Sequence, residues 1–285
     1  MTRLAEIQTH IASMGELLDI VGAMRSLAGM RVQEAHRALP GVRRYADAMA
    51  SAIGGALLLT PEPVTGARSP GARRALVLCA SEHGFVGGFN ERLLDAAETG
   101  LAARDALFVL GTRGAALAQE RGRPTAWTHS MATRLAGIPE AVRRLAGALY
   151  RRVARGELAR AEVMFVRYRH DGTPTIERRL LFPLDLARLA APARLPPLHN
   201  LPPGMLLEKL LAEYVFALLT EAAVESLASE NAARLSAMEA AHDNVSKKLD
   251  ALRQDARRAR QNEITTELLD LVTGAEALSG ARARP

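Results

Sequence analysis

At 285 residues, with 48% apolar and only 4% aromatic side chains, the chain can bury a core, but its Ala- and Leu-rich make-up suits helix packing better than a sandwich or barrel. The formal charge of +6 and pI ≈ 10.1 admit nucleic acid, anionic lipid or an acidic protein as partner. The lone Cys79 excludes an internal disulfide and points to a reducing compartment, and the longest apolar run, Ala52 to Leu59, is far short of a membrane span.

No signal-peptide pattern opens the chain, so a cytoplasmic protein without direct membrane insertion is expected. Only Lys209, Lys247 and Lys248 are lysines, a compositional bias that keeps each Arg from being read as a contact. The first element is a helix with apolar residues at Leu4, Ile7, Ile11, Met14, Leu18, Val21, Ala28, Val32, Ala35 and Leu39. Their alternating three–four spacing is the seam of a coiled coil, with Arg25 out of place on it. Gly15, Gly22 and Gly29 recur beside the seam. Each costs a helix about 1 kcal/mol relative to Ala, so either another backbone approaches closely there or the series is chance among Ala-rich positions. Pro40-Gly41 is expected to kink or break this helix, and Tyr45 to Leu59 resumes the helical pattern.

Thr60 to Gly71 is a Pro/Gly-rich linker, after which strands and helices alternate. Strands are expected at Ala75–Ser81, Ala106–Gly111 and near Thr125–Thr128, with helices at Glu91–Arg104, Arg113–Arg121 and Ile138–Arg155. Glu162–Arg169 and Thr175–Phe182 flank Asp171-Gly172 as a hairpin. The fold class is therefore α/β, a mostly parallel sheet with an antiparallel edge, inserted between helical arms. The expected segments are an N-terminal helix over 1–59, an α/β domain over 72–185 and a C-terminal helix over 204–278, joined by a Pro-rich connector, Pro183 to Pro203.

From Met205 to Thr273 there is neither Pro nor Gly, with Gly204 and Gly274 at its ends. As one helix this run would be ~100 Å long, against a radius of gyration of ~19 Å for a globule of the whole chain. Leu235, Met238, His242, Val245, Leu249, Leu252, Ala256 and Ala259 form a second seam, which can pair antiparallel with the first. The first helix up to Leu39 reaches only ~60 Å. The end from about Asn262 therefore lacks a partner in its own chain, yet carries Ile264, Leu268, Leu269, Leu271 and Val272. An exposed apolar helix end calls for another protein to cover it.

Chemistry-bearing motifs are few. The turn Glu82 to Asn90 contains Gly84, Gly87 and Gly88 between a strand and a helix, a position able to cradle phosphate. Its pattern is GxxGG rather than GxGxxG, and no acidic residue follows the second strand to hold a ribose, so a plain strand-to-helix turn is the simpler reading. No P-loop is possible, because all three lysines lie in the C-terminal helix. The seven His show no metal-ligand spacing, His83 and His242 being the only ones placed for function, and no catalytic constellation stands out. No cofactor or metal is expected. Arg253, Arg257, Arg258 and Arg260 fall on about two turns. They form a solvated face, a site for an acidic protein loop, or a nucleic-acid contact.

At these C-terminal residues the chain resembles a known family. Ile264 to Ala277 (ITTELLDLVTGAEA) is similar to the C-terminal signature of the γ subunit of F-type ATP synthases. Leu227–Asn244, Ala259-Arg260-Gln261, the Ser81–Asn90 turn and Ile11–Met24 are also similar to γ segments, so the likeness spans nearly the whole chain. The resemblance implies a Rossmann-like domain inserted in an antiparallel coiled coil, and a non-catalytic rotor shaft. The coiled coil would stand in a ring of α and β subunits, and the foot would join the ε subunit and the membrane c-ring, with no nucleic acid involved. It implies a peripheral position at the cytoplasmic face of the inner membrane.

By the same resemblance Arg260 and Gln261 would meet catch loops of the β subunits, with Arg257, Glu267 and Met24 also facing the ring. Ile264, Leu268 and Leu271 would form the shaft tip, and Gly84, Gly87, Gly88 and Asn90 the turn of the foot. The chain departs from the family at Gly22, where a Lys is usual, at Glu82-His83 for Asp-Arg, at Phe85-Val86 for Leu-Cys, and in the tail Ser279 to Pro285. These departures mark a divergent member, and the coupling ion, proton or the sodium of the alternate F-type branch, stays open. The rival readings are an Arg-rich coiled-coil protein that binds nucleic acid or acts as a scaffold, and a small nucleotide-binding α/β enzyme.

Overall fold

The computed structural model describes residues 3–59, 72–167, 174–189 and 197–282. The linker at 60–71, the Asp171-Gly172 turn, the middle of the Pro-rich connector and the last three residues of the tail lie outside the described residues. In chain order the elements are α1 (Arg3–Leu57), β1 (Arg73–Cys79), α2 (Phe89–Glu98), β2 (Ala106–Leu110), α3 (Thr112–Glu120), β3 (Thr125–His129), α4 (Ile138–Ala154), β4 (Leu158–Arg167), β5 (Thr175–Phe182), α5 (Leu186–Leu189) and α6 (Pro203–Arg282).

The strands form one sheet in the order β3-β2-β1-β4-β5. Pairs β3–β2, β2–β1 and β1–β4 are parallel, and β4–β5 is the antiparallel edge expected from the hairpin pattern. Every residue of β2 and the five residues of β1 from Ala75 to Cys79 are buried, as strands covered on both faces must be. On one face Val77, Phe108, Phe165 and Leu149 pack with Leu39 and with Leu219 and Val224 of α6. On the other, Leu78, Val109 and Met164 pack with Phe89 and Leu93 of α2. Helix α2 stops at Glu98, short of the expected Arg104, and Gly100 just beyond lies against the Arg178 guanidinium.

The chain divides into two compact units, Met1–Ser26 with Ser236–Pro285, and Leu27–Leu235. In the second unit α1 and α6 pack antiparallel, since Arg43 meets Glu221 and Glu225 while Tyr45, later in α1, meets Glu213, earlier in α6. In the first unit the two seams face inward. Leu4, Ile7, Ile11, Met14 and Leu18 are half-buried and Val21 is buried, as are Met238 and Leu249 of α6, with His242, Val245, Leu252, Ala256 and Ala259 half-buried between and beyond them.

Three expectations need correction. Pro40 does not end the first helix, which runs on to Leu57. Proline removes one backbone bond at a cost of ~3 kcal/mol, but its ring faces solvent here, while Leu39 and Val42 on either side are packed against the core. No backbone approaches Gly15, Gly22 or Gly29, since a Cβ at each would meet nothing within 4 Å among the described residues. The C-terminal helix expected over 204–278 is longer at both ends, starting at Pro203 and continuing to Arg282. Proline is favoured in a helical first turn, where its missing N–H has no partner to lose.

Candidate functional site

In an open α/β sheet ligands bind beyond the carboxyl ends of the strands, where the strand order reverses. Here that place lies between β1 and β4, and the chain fills it. Ser226 Oγ of α6 donates to the Cys79 carbonyl at 2.5 Å and Ser229 Oγ to the Val166 carbonyl at 2.8 Å. One turn further on, Arg234 donates to the Gly84 carbonyl at 3.2 Å and to Glu230 Oε1 at 2.7 Å. Ser226, Ser229, Glu230, Asn231 and Arg234 are all buried. Burial holds the Glu230 carboxyl above its ordinary pKa, and Arg234 only partly offsets that.

The other ligand position of such a sheet is the N-terminus of a helix after a strand, where unpaired N–H groups attract an anion. At α3 that anion is internal. Glu82 Oε2 accepts the Thr112 N–H at 3.0 Å and the Met131 N–H at 2.8 Å, and its Oε1 accepts the Thr112 hydroxyl at 2.8 Å. One carboxylate thus ties together the segments that follow β1, β2 and β3. Sequence reasoning missed this role, because Glu82 is distant from Thr112 and Met131 along the chain.

The glycines sort differently from their expected importance. Among those of the turn only Gly87 has a positive φ, 55°, while Gly84 and Gly88 have open space where a side chain would go. The demanding glycines are Gly111, at φ 124° with the Ala80 carbonyl oxygen 2.5 Å from where a Cβ would stand, and Gly114, whose Cβ would fall 2.1 Å from that of Ala80. Asn90 is buried and turned inward, its Oδ1 accepting the Ser81 N–H at 3.0 Å and its amide donating to Ser81 Oγ at 2.7 Å. Val86 and Phe89 are also buried, whereas His83, Gly87 and Gly88 are exposed, and Phe85 is 69% exposed at φ 59°. That left-handed conformation is rare for a bulky side chain, and Arg234 and Asn90 hold the turn from behind.

A second candidate surface is the far part of α6. Arg257, Arg260, Gln261 and Glu267 are exposed, and Met24 of α1 is half-buried. Arg253 and Arg258 lean on Asp250 and Asp255 at 3.4 and 4.0 Å, whereas Arg257 and Arg260 have no carboxylate partner among the described residues. Beyond Glu263 burial ceases: Ile264 is 48%, Leu268 57% and Leu271 69% exposed. At 3.6 residues per turn Arg257, Arg260, Ile264, Leu268 and Leu271 share about one quarter of the helix circumference. Cationic forks therefore lead into an uncovered apolar stripe. Among the described residues no cluster of acidic, His or Cys side chains could hold a metal ion, and no helix is long and apolar enough to cross a membrane.

A sheet whose ligand positions are filled from within, and a long helix whose end is bare and apolar, define a protein that works by contact with other chains. A family model described as ATP synthase matches residues 3–278, and the chain belongs to that family. Over nearly full length it is 29% identical to the ATP synthase gamma chain of Streptomyces avermitilis, covering 99% of this chain and 98% of that one. It is 26% identical to the gamma chain of Chlorobium luteolum, covering 98% and 99%. Its fold is similar to a chain of the Euglena gracilis mitochondrial ATP synthase, in an assembly of OSCP, F1 and c-ring, with TM-score 0.66, 12% identity and coverage of 99% and 96%. It is also similar to a chain of the Tetrahymena thermophila central stalk and c-ring, with TM-score 0.58, 16% identity and coverage of 78% and 99%.

Proposed function

We propose that the chain is the γ-type central rotor shaft of an F-type ATP synthase, coupling ion flow through the membrane sector to ATP synthesis or hydrolysis at the β subunits. The observation that carries this reading is the bare end of α6, where apolar side chains follow unpaired arginines on one face. The chain supplies no reacting group: it is a non-catalytic subunit whose asymmetric helices, over 1–59 and 204–278, present different faces to a surrounding α/β ring as they turn. Arg257, Arg260 and Gln261 meet carboxylate-bearing loops of that ring, where a guanidinium gives short, bidentate, charge-assisted bonds. Glu267 and Met24 flank that contact, and Ile264, Leu268 and Leu271 sit in an apolar collar that excludes water from them.

The segment 72–185 is the foot, which joins an ε-type subunit and the c-ring at the cytoplasmic face of the membrane. Its outward turn, with Phe85, Gly87 and Gly88 exposed over the buried Asn90, is a further contact with the ring. The coupling ion is chosen by the membrane subunits. The test is co-expression with the α and β subunits encoded by the same organism, with and without Asn262–Pro285. The full chain should co-purify in a ring that hydrolyses ATP and pumps ions, and the truncation should hydrolyse ATP with weakened pumping. A full chain that never joins the ring overturns the reading, and unimpaired pumping by the truncation removes the role given to the tip. Arg260→Ala should lower pumping or assembly with no loss of folding, and wild-type pumping in that variant removes Arg260 from the contact.

A further inference from the structure

At the opposite edge of the sheet from the Glu82 turn, the starts of β1 and β4 and the loop before β2 enclose a cleft of about 360 Å³. Small alanine side chains leave it open, and Arg73, Arg74, Arg104 and Arg160 surround it with one carboxylate, Asp105. Two of these guanidiniums are already held in place. Arg74 Nε donates to Asp105 Oδ2 at 3.1 Å and its Nη2 to the Gly100 carbonyl, while the same Oδ2 accepts the Ala102 N–H at 2.8 Å. Arg160 lies on Glu162 Oε1 at 2.7 Å, and Arg178 takes the other oxygen of Glu162 at 2.5 Å. A further carboxylate just ahead of β4, Glu157, faces Arg155 at 3.8 Å. Arg73 and Arg104 are exposed and have no carboxylate partner among the described residues.

Asp105 and Glu162 offset Arg74 and Arg160, which leaves Arg73 and Arg104 as the cleft's uncompensated cations. Converging like charges repel, and a bound anion relieves that repulsion. The shortage of lysine accounts for arginine as the cation type, but not for four of them lining one concavity with two left unpaired. Guanidinium forks match the tetrahedral oxygens of phosphate in bidentate fashion. The carboxyl edge, where such a fold usually takes phosphate, is closed by Glu82, Ser226, Ser229 and Arg234, so an external anion has its place at the other edge.

We propose that this cleft binds a phosphoryl group, either as inorganic phosphate or as the headgroup phosphate of an anionic lipid. The lipid source rests on the rotor reading, which brings the foot close to a membrane, whereas the free-phosphate source is independent of it. Both arms use the isolated full-length chain: calorimetric titration with inorganic phosphate against chloride of equal ionic strength, and co-sedimentation with phosphatidylcholine vesicles with and without phosphatidylglycerol.

Saturable binding is expected in at least one arm, weakened roughly tenfold by the double variant Arg73→Ala/Arg104→Ala. Arg143→Ala/Arg144→Ala removes the same charge from α4 and should leave binding unchanged. Arg104→Glu alone, an exposed reversal, should weaken it at least as much as the double alanine variant. Response to phosphate assigns a free anion, and response only to the anionic vesicles assigns a lipid. No binding in either arm, or equal losses in the two double variants, overturns the proposal. These measurements involve no ring subunit, so their failure is distinct from a failure of the chain to assemble.

Discussion

Two stretches of α6 invert the usual rule that polar residues lie outside and apolar ones inside. From Glu221 to Asn231 every residue is buried, including Glu221, Glu225, Ser226, Ser229, Glu230 and Asn231. From Ile264 to Val272 every residue is exposed, including Ile264, Leu268, Leu269, Leu271 and Val272. In the first stretch nearly every buried polar group has a partner within the chain, as a low-dielectric interior requires. In the second the apolar groups have none. One stretch is completed by its own fold, and the other is an incomplete surface that another chain must finish.

The sharpest way to break the first stretch is at Arg234. Arg234→Met should destabilise the chain by about 3 kcal/mol or more, since it leaves Glu230 buried without its cation and frees the Gly84 carbonyl. Urea denaturation measures it, and a loss under about 1 kcal/mol would mean that the turn and α6 are not coupled through this side chain. Gly114→Ala comes next. Overpacking of a tight contact costs about 1–3 kcal/mol, and the Cβ of Ala80 has no flexible end to yield. The double change Ala80→Gly/Gly114→Ala should recover part of that loss. No recovery would place the strain elsewhere.

How much of this was legible in the sequence divides along the same line. The two seams and the strand–helix alternation could be read because they are local periodicities, and burial follows them at Val21, Met238 and Leu249. The uncovered tip could be read too, as a mismatch between two helix lengths. The tight approach at Gly111 and Gly114 and the anion role of Glu82 could not, because each depends on which residue lies opposite across the sheet edge. β4 begins at Leu158, ahead of the expected Glu162, because Arg160 looks like a loop charge until it is seen to pair with Glu162, two residues further along the same strand. Pro40 shows tertiary packing overriding a local signal. The arginines of the N-terminal edge are scattered in sequence, and only the parallel register gathers them.

A finer test of the completed stretch uses pH. Glu221 and Glu225 face Arg43, Arg167 and Arg179, with Glu177 beside them. Burial pushes the Glu221 carboxyl up, but Arg179 and Arg43 outweigh it and hold it below its ordinary value. At Glu225 burial wins over Arg43 and Arg167 and the pKa is raised, and its Oε2 makes no hydrogen bond among the described residues. A lowered carboxylate contributes stability above its unfolded pKa of about 4.3 and loses it as pH falls through the folded value. A raised one is favourable below the unfolded value, and that contribution is lost as pH rises through the folded one. Glu221→Gln should therefore cost about 1–3 kcal/mol at pH 7, a deficit that closes below about pH 4. Glu225→Gln should cost less at pH 7 and more at low pH relative to its neutral-pH effect. Denaturation midpoints between about pH 3 and 8 read both, and parallel profiles for the two variants would refute the asymmetry.

The smallest effect is expected where the surface is incomplete. Leu268→Ser/Leu271→Ser changes two side chains that are 57% and 69% exposed and touch no core. Such surface substitutions stay within about 0.5 kcal/mol, so the melting temperature of the isolated chain should hardly move. If the tip is finished by a ring, the same variant should lose the apolar area buried there, and its coupled ion pumping should fall while α/β ATP hydrolysis persists. The dissociation between unchanged folding and impaired coupling is what separates a surface built for a partner from one merely left over. A destabilised monomer would show that the tip packs on its own chain, and an unaltered complex would show that no apolar collar receives it.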